Sequence, residues 1–157
     1  MVSALQFDRV QTLIKAAVEE DGATLLAGGP GRPDGFDKGY FVKPTIFSNV
    51  SNDMRIAREE VFGPVLAMIP FDDEEDAVRI ANDTPYGLAA GVFSTNLGTA
   101  HKLAHRLKAG SVWVNMYHAI DPAVPFGGVK MSGYGREGGT EHLEEYLDTK
   151  AIWINAD

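Results

Sequence analysis

Three short apolar runs, Pro64–Phe71, Ala89–Phe93 and Ser111–Asn115, are separated by two stretches whose apolar residues recur at helical spacing. The first stretch, Asp73 to Asn82, turns Ala77, Val78 and Ala81 to one side and is stopped by Thr84-Pro85, because proline has no N–H to continue a helix. The second repeats Leu97, Ala100, Leu103, Ala104 and Leu107 until Gly110. The order is β-α-β-α-β. Such alternation implies an α/β fold in which helices flank a largely parallel sheet, with ligands favoured beyond the carboxyl ends of the strands.

The flanking segments extend this pattern. Leu5, Val10, Leu13, Ile14, Ala17 and Val18 form one stripe of a helix over residues 4–20. Ser3 and Gln6 have the spacing of a capping box, and Gly22 suits the left-handed position after a helix end. Thr24 to Ala27 is a short apolar run. GGPGRPDGFDKG reads as a surface loop, and Tyr40 to Phe47, interrupted by Pro44, as a strand. Near the end, a helix is expected from Gly138 to Tyr146 and a terminal strand from Thr149 to Asn155.

Composition removes several function classes. With 157 residues the chain can bury about two thirds of its unfolded surface, so one core is expected. It carries 22 acidic against 14 basic residues, a net charge of −8, which opposes nucleic-acid binding. No run of about 18 apolar residues offers a membrane span. The first ten residues have neither signal-peptide nor transit-peptide character, so a cytoplasmic protein is expected. There is no cysteine, hence no disulfide, no thiolate metal site and no thiol nucleophile in this chain.

Familiar motifs are absent or misplaced. Gly133, Gly135 and Gly138 match the glycine pattern of a dinucleotide loop, but PFGGVKMS precedes them where a strand should lead in. His101 and His105 are four apart, as zinc-binding imidazoles can be. Lys102 nevertheless stands where a metalloprotease has glutamate, and a solvated helix face explains the pair. Two denser segments remain. EEVFGPV sets Glu59, Glu60 and Phe62 before the first central strand, and PFGGVKMSGYGRE strings four glycines among aromatic and basic residues. Residue by residue, surface acids, core aromatics and turns explain these too.

Taken together, GYFVKPTIF, EEVFGPV, NDTPYGLAAGVF, AGSVWVN and PFGGVKMSGYGRE, in this order and spacing, resemble the C-terminal portion of the NAD(P)-dependent aldehyde dehydrogenase superfamily. The resemblance covers almost the whole chain. It implies a reaction in which a cysteine thiolate attacks an aldehyde, hydride passes to NAD or NADP, and a glutamate-activated water releases the acid. It also implies that the cysteine, that glutamate, the oxyanion asparagine and the dinucleotide-binding domain belong to segments before this one. The fragment by itself is then expected to be inactive.

The resemblance assigns roles by position. Glu60 corresponds to the carboxylate that accepts hydrogen bonds from the nicotinamide ribose hydroxyls, and Phe62 to the aromatic residue beside the nicotinamide. Phe126 corresponds to a residue lining the aldehyde tunnel, with Tyr117, His118 and Ile120 at its mouth. That lining suits an aromatic or medium aliphatic aldehyde. Residues 1–145 would belong to the catalytic domain and 146–157 to a terminal oligomerisation strand, so self-association as a dimer or larger assembly is expected. A stand-alone binding or oligomerisation module that keeps the fold without catalysis is the alternative.

Overall fold

The computed structural model describes all 157 residues, and they fall into two compact units, Met1–Asp83 and Thr84–Asp157. The single core expected from length is thus replaced by two smaller bodies.

In the first unit, helix α1 (Ala4–Glu19) is followed by strands β1 (Thr24–Ala27) and β2 (Thr45–Ser48), the short helix α2 (Arg55–Arg58), strand β3 (Val65–Ala67) and helix α3 (Glu74–Asn82). The strands are ordered β1-β2-β3, antiparallel between β1 and β2 and parallel between β2 and β3. The start of β2 follows from Pro44, which has no N–H to give a ladder; Thr45 makes the first bond, donating to the Pro64 carbonyl at 2.9 Å.

The core here joins Phe7, Val10, Leu13, Ile14 and Ala17 of α1 to Val42, Phe47, Val50 and Ile56. Leu5 and Val18, expected on the buried stripe, are exposed, and Phe7 and Gln11 take their places. The face centred on Val10 and Ile14 meets the sheet, and Leu5 and Val18 lie off its edge. The Ser3 hydroxyl caps α1 by accepting from the Gln6 N–H at 3.2 Å, but the Gln6 side chain points elsewhere, so the capping box is only half formed. Gly22 has the expected positive φ, +74°, and the next N–H, of Ala23, reaches back to the Ala17 carbonyl at 2.8 Å.

Asp73 starts α3 by accepting from the Asp76 N–H at 2.8 Å. Val78 is buried and Ala77 and Ile80 are half-buried, whereas Ala81 faces solvent. The turn to the core therefore falls one residue earlier than the spacing suggested.

The second unit contains β4 (Ala89–Val92), α4 (Leu97–Arg106), β5 (Ser111–Val114), a 3₁₀ turn (Lys130–Ser132) and α5 (Glu141–Glu144). Strands β4 and β5 are parallel, in register from Ala89 with Ser111 to Val92 with Val114, and α4 is their crossover. Asn96 caps α4 by accepting from the Thr99 N–H at 3.1 Å, and Ala100 and Val92 are the buried apolar residues of this βαβ turn. The strands of the β-α-β-α-β pattern exist, yet they are divided between a three-stranded and a two-stranded sheet. The expected last helix shortens to Glu141–Glu144, after two positive-φ glycines, Gly138 and Gly139. Residues 149–155 have no strand pairing and are fully exposed, since no segment of the chain hydrogen-bonds alongside them. No helix is long and apolar enough to cross a membrane.

Candidate functional site

The segment from Glu59 to Phe62 links α2 to β3, and helix α1 fixes its backbone. From one face of α1, Gln6 Nε2 donates to the carbonyl oxygens of Val61 at 3.0 Å and Phe62 at 3.1 Å. One turn on, Arg9 Nη2 donates to the Glu60 carbonyl at 3.2 Å and lies 3.9 Å from the Glu59 carboxylate. Three successive carbonyls are therefore held by two side chains. Phe62 needs that hold, because its φ is +52°, a left-handed conformation that costs a side-chain-bearing residue about 1 to 3 kcal/mol. Its ring is 72% exposed, so packing of the ring does not enforce the bend.

The Glu60 side chain is exposed and makes no hydrogen bond or ion pair within the chain; Arg9 takes its carbonyl and the neighbouring Glu59 carboxylate instead. Two carboxylate oxygens are thus presented from a fixed backbone. At the C-terminal end of α2, Arg58 forms a fork with Asp83, Nη1 to Oδ1 and Nη2 to Oδ2 each at 3.2 Å, and Asn52 Nδ2 donates to Asp83 Oδ2 at 3.2 Å. The Asn52 hydrogen bond and the Arg58 charge hold the Asp83 carboxyl below its ordinary pKa of 3.8.

The second unit carries the other candidates on the loop after β5. Asn115 turns the chain with φ +54° and copies a strand partner: its Oδ1 accepts from the Ser94 N–H at 2.8 Å and its Nδ2 donates to the Ser94 carbonyl at 2.9 Å. Tyr117 folds back onto Trp113 with ring centroids 4.9 Å apart, His118 is again left-handed at φ +64°, and Trp113 Nε1 donates to the Ala119 carbonyl at 2.8 Å. Ile120 and Phe126 then line one concavity with Trp113, Val124 and Pro125. Tyr117 and His118 are not among its lining residues.

Phe126 is held from the other side. Its N–H and carbonyl each bond Glu137 at 2.7 Å in an isolated antiparallel bridge. Beside it, Arg136 Nη1 donates to the Gly128 carbonyl at 2.8 Å and the Gly135 carbonyl at 2.6 Å, and His142 Nδ1 donates to the Arg136 carbonyl at 3.0 Å. The glycines of PFGG are close approaches: a Cβ on Gly110 would sit 1.7 Å from the Gly127 oxygen. Gly133, Gly135 and Gly138 follow a 3₁₀ turn, with no strand leading in. His101 and His105 are exposed, and no three His, Cys, Asp or Glu side chains cluster as a metal site would need.

Sequence reasoning did not single out Gln6, Arg9, Trp113, Asn115 or Arg136. Their work is done on backbone groups, far along the chain for Gln6, Arg9 and Asn115 and within the neighbouring loop for Trp113 and Arg136, which periodicity does not reveal. The one available signal was Gln6 in the capping position, and it was read as serving the helix's own end.

The aldehyde dehydrogenase family profile matches residues 1–152. The chain belongs to the aldehyde dehydrogenase family. A Staphylococcus saprophyticus relative bearing that family name is 51% identical over 152 residues, 97% of this chain but 32% of its own length. Among solved structures, Pseudomonas syringae aldehyde dehydrogenase C with NAD+ and octanal superposes at TM-score 0.91 and 51% identity, over 97% of this chain and 31% of that one. A Mycobacterium tuberculosis aldehyde dehydrogenase with NAD+ gives TM-score 0.92 at 46% identity, over 99% and 32%. The chain thus spans about a third of the length of the aldehyde dehydrogenases it matches.

Proposed function

We propose that this chain supplies the C-terminal third of an NAD(P)-dependent aldehyde dehydrogenase, holding the nicotinamide ribose through Glu60 and shaping the aldehyde passage through Phe126, Ile120, Tyr117 and His118. The observation that carries this reading is the Glu60 carboxylate, unpartnered within the chain and mounted on a backbone clamped by Gln6 and Arg9. Two vicinal hydroxyls meeting two carboxylate oxygens form a directional pair of charge-assisted hydrogen bonds. The pair of acceptor oxygens therefore fits a ribose.

When bound, NAD or NADP supplies the hydride acceptor. Glu60 orients it, and Phe62, fixed in its left-handed bend, lays its exposed ring where it limits sliding of a flat heterocycle. The apolar concavity at Ile120 and Phe126 accepts the organic part of a medium aliphatic or aromatic aldehyde and keeps water away. The octanal and NAD+ of the P. syringae relative agree in chemical class.

The nucleophile is not in this chain, which has no cysteine. Residues 146–157 are proposed to pair with a neighbouring subunit, and the setting is proposed to be the cytoplasm. The test compares the isolated chain with a complete dehydrogenase polypeptide carrying it. The isolated chain yields no aldehyde-dependent reduction of NAD or NADP and the complete polypeptide does; turnover by the isolated chain, with contaminating enzyme excluded, overturns the reading.

A further inference from the structure

The loop proposed to form the aldehyde passage makes its own turn at Asp121, whose carboxylate accepts from the Ala123 N–H at 2.8 Å, but the stretch before that turn is anchored on the strands. It rests on two strand positions, Trp113 on β5 and Gly91 on β4, paired opposite one another in the parallel ladder. Trp113 makes two contacts with the loop: its indole N–H donates to the Ala119 carbonyl at 2.8 Å, and its ring meets the Tyr117 ring. Tyr117 in turn packs against Gly91, where a Cβ would lie 2.8 Å from Tyr117 Cδ2 and 3.2 Å from Cε2. The missing side chain at Gly91 is therefore the seat of the tyrosine ring. Between these anchors the backbone takes left-handed turns at Asn115 and His118, conformations that persist only where surroundings enforce them. The residue after the anchored carbonyl is Ile120, and with Trp113 itself it lines the concavity that contains Phe126.

We infer that Trp113 and Gly91 are specificity-determining positions, which set the width of the aldehyde passage by fixing the loop that carries Ile120. The inference rests on the proposed aldehyde role of Ile120 and Phe126. Trp113 acts in two ways, as a wall of the concavity and as the donor that holds Ala119, and the second role explains why an indole serves where another aromatic ring would not. Gly91 acts only through Tyr117. A side chain there pushes the ring off the strand and carries the loop with it.

The test uses a complete dehydrogenase polypeptide carrying this chain, with kcat/KM measured for a short and a medium-length aliphatic aldehyde and KM for NAD measured alongside. Trp113→Phe keeps an aromatic wall and removes the N–H, and the ratio of the two kcat/KM values shifts by about fivefold, as expected for one lost hydrogen bond. Gly91→Ala shifts the same ratio while every residue lining the concavity is retained. In both variants KM for NAD stays within about twofold, a split that general loss of structure would not give. Phe126→Ala serves as the reference. If Phe126→Ala moves the ratio and the other two do not, the anchoring role is wrong while the passage stands. If Phe126→Ala also leaves the ratio unmoved, the aldehyde role of this concavity is wrong and the inference falls with it. A variant that fails to fold is replaced by Tyr117→Leu, which removes the ring from Gly91 and is expected to shift the ratio likewise; an unchanged ratio there overturns the inference.

Discussion

The side-chain amide of Gln6 lies 3.1 Å from the carbonyl oxygen of Phe62, a residue bent to φ +52° with its ring in solvent. A helix near the start of the chain thus sets the conformation of a segment more than fifty residues away. In a complete dehydrogenase, Gln6→Leu removes both donors and frees the bend. The expected result is a hydride-transfer rate lower by about tenfold, with stability lower by about 1 to 2 kcal/mol for the two lost hydrogen bonds. Single-turnover kinetics and a denaturant melt report these separately, and an unchanged rate means the clamp is only structural.

Phe126→Ala widens the concavity shared with Ile120 and Trp113. Substrates whose apolar groups touch the ring lose about 1 to 3 kcal/mol of transition-state binding, roughly ten- to a hundredfold in kcat/KM, while small aldehydes lose less. Equal losses across a chain-length series assign Phe126 to packing alone.

Acid is expected to loosen the first unit through Asp83. Its carboxyl titrates below 3.8 because Asn52 and Arg58 favour the charged form. A group with a lowered folded pKa stabilises the native state above its unfolded value and loses that contribution as pH falls through the folded value. The contribution is therefore complete above about pH 4 and disappears at lower pH. Asp83→Asn lacks this component, so its urea midpoint changes less between pH 5 and pH 3 than that of the parent. Parallel curves for the two proteins rule out the Asp83 contribution. The group is solvent-exposed, so the difference is small.

The terminal segment Ala151–Ile154 is apolar and exposed, with Trp153 at 93%. Unpaired backbone and apolar side chains at a chain end favour pairing with another copy. Light scattering of the chain at micromolar concentration is expected to give more than one subunit mass, and Trp153→Lys to shift it toward monomer. A well-folded monomer at high concentration contradicts this use of the segment.

Much of this was legible in the sequence where local physics decides. Ser3 caps α1, Pro44 delays β2, Gly22 ends α1, and the apolar runs at Thr24, Val65, Ala89 and Ser111 all form strands. Sheet membership was not legible, because periodicity gives each strand a type and no partner; β3 joins β2, and β4 joins β5. The terminal segment, read as a strand, likewise has a type from its pattern but no partner inside the chain. Glu60, Phe62 and Phe126 came from motif resemblance. The side chains that hold the backbone around them, Gln6 and Arg9 on α1 and Trp113 and Arg136 beside the later loop, act on carbonyls and needed the folded backbone to be seen.

The proposed role of Glu60 is tested most directly by single-turnover hydride transfer in a complete dehydrogenase carrying this chain, comparing the parent with Glu60→Gln. The substitution keeps shape and removes the charge that strengthens both ribose hydrogen bonds. The predicted result is a hydride rate lower by about tenfold or more, an aldehyde dissociation constant within about twofold of the parent, and no repair at saturating aldehyde. A hydride rate equal to that of the parent, with NAD bound as tightly, would contradict the proposal that this chain holds the nicotinamide ribose.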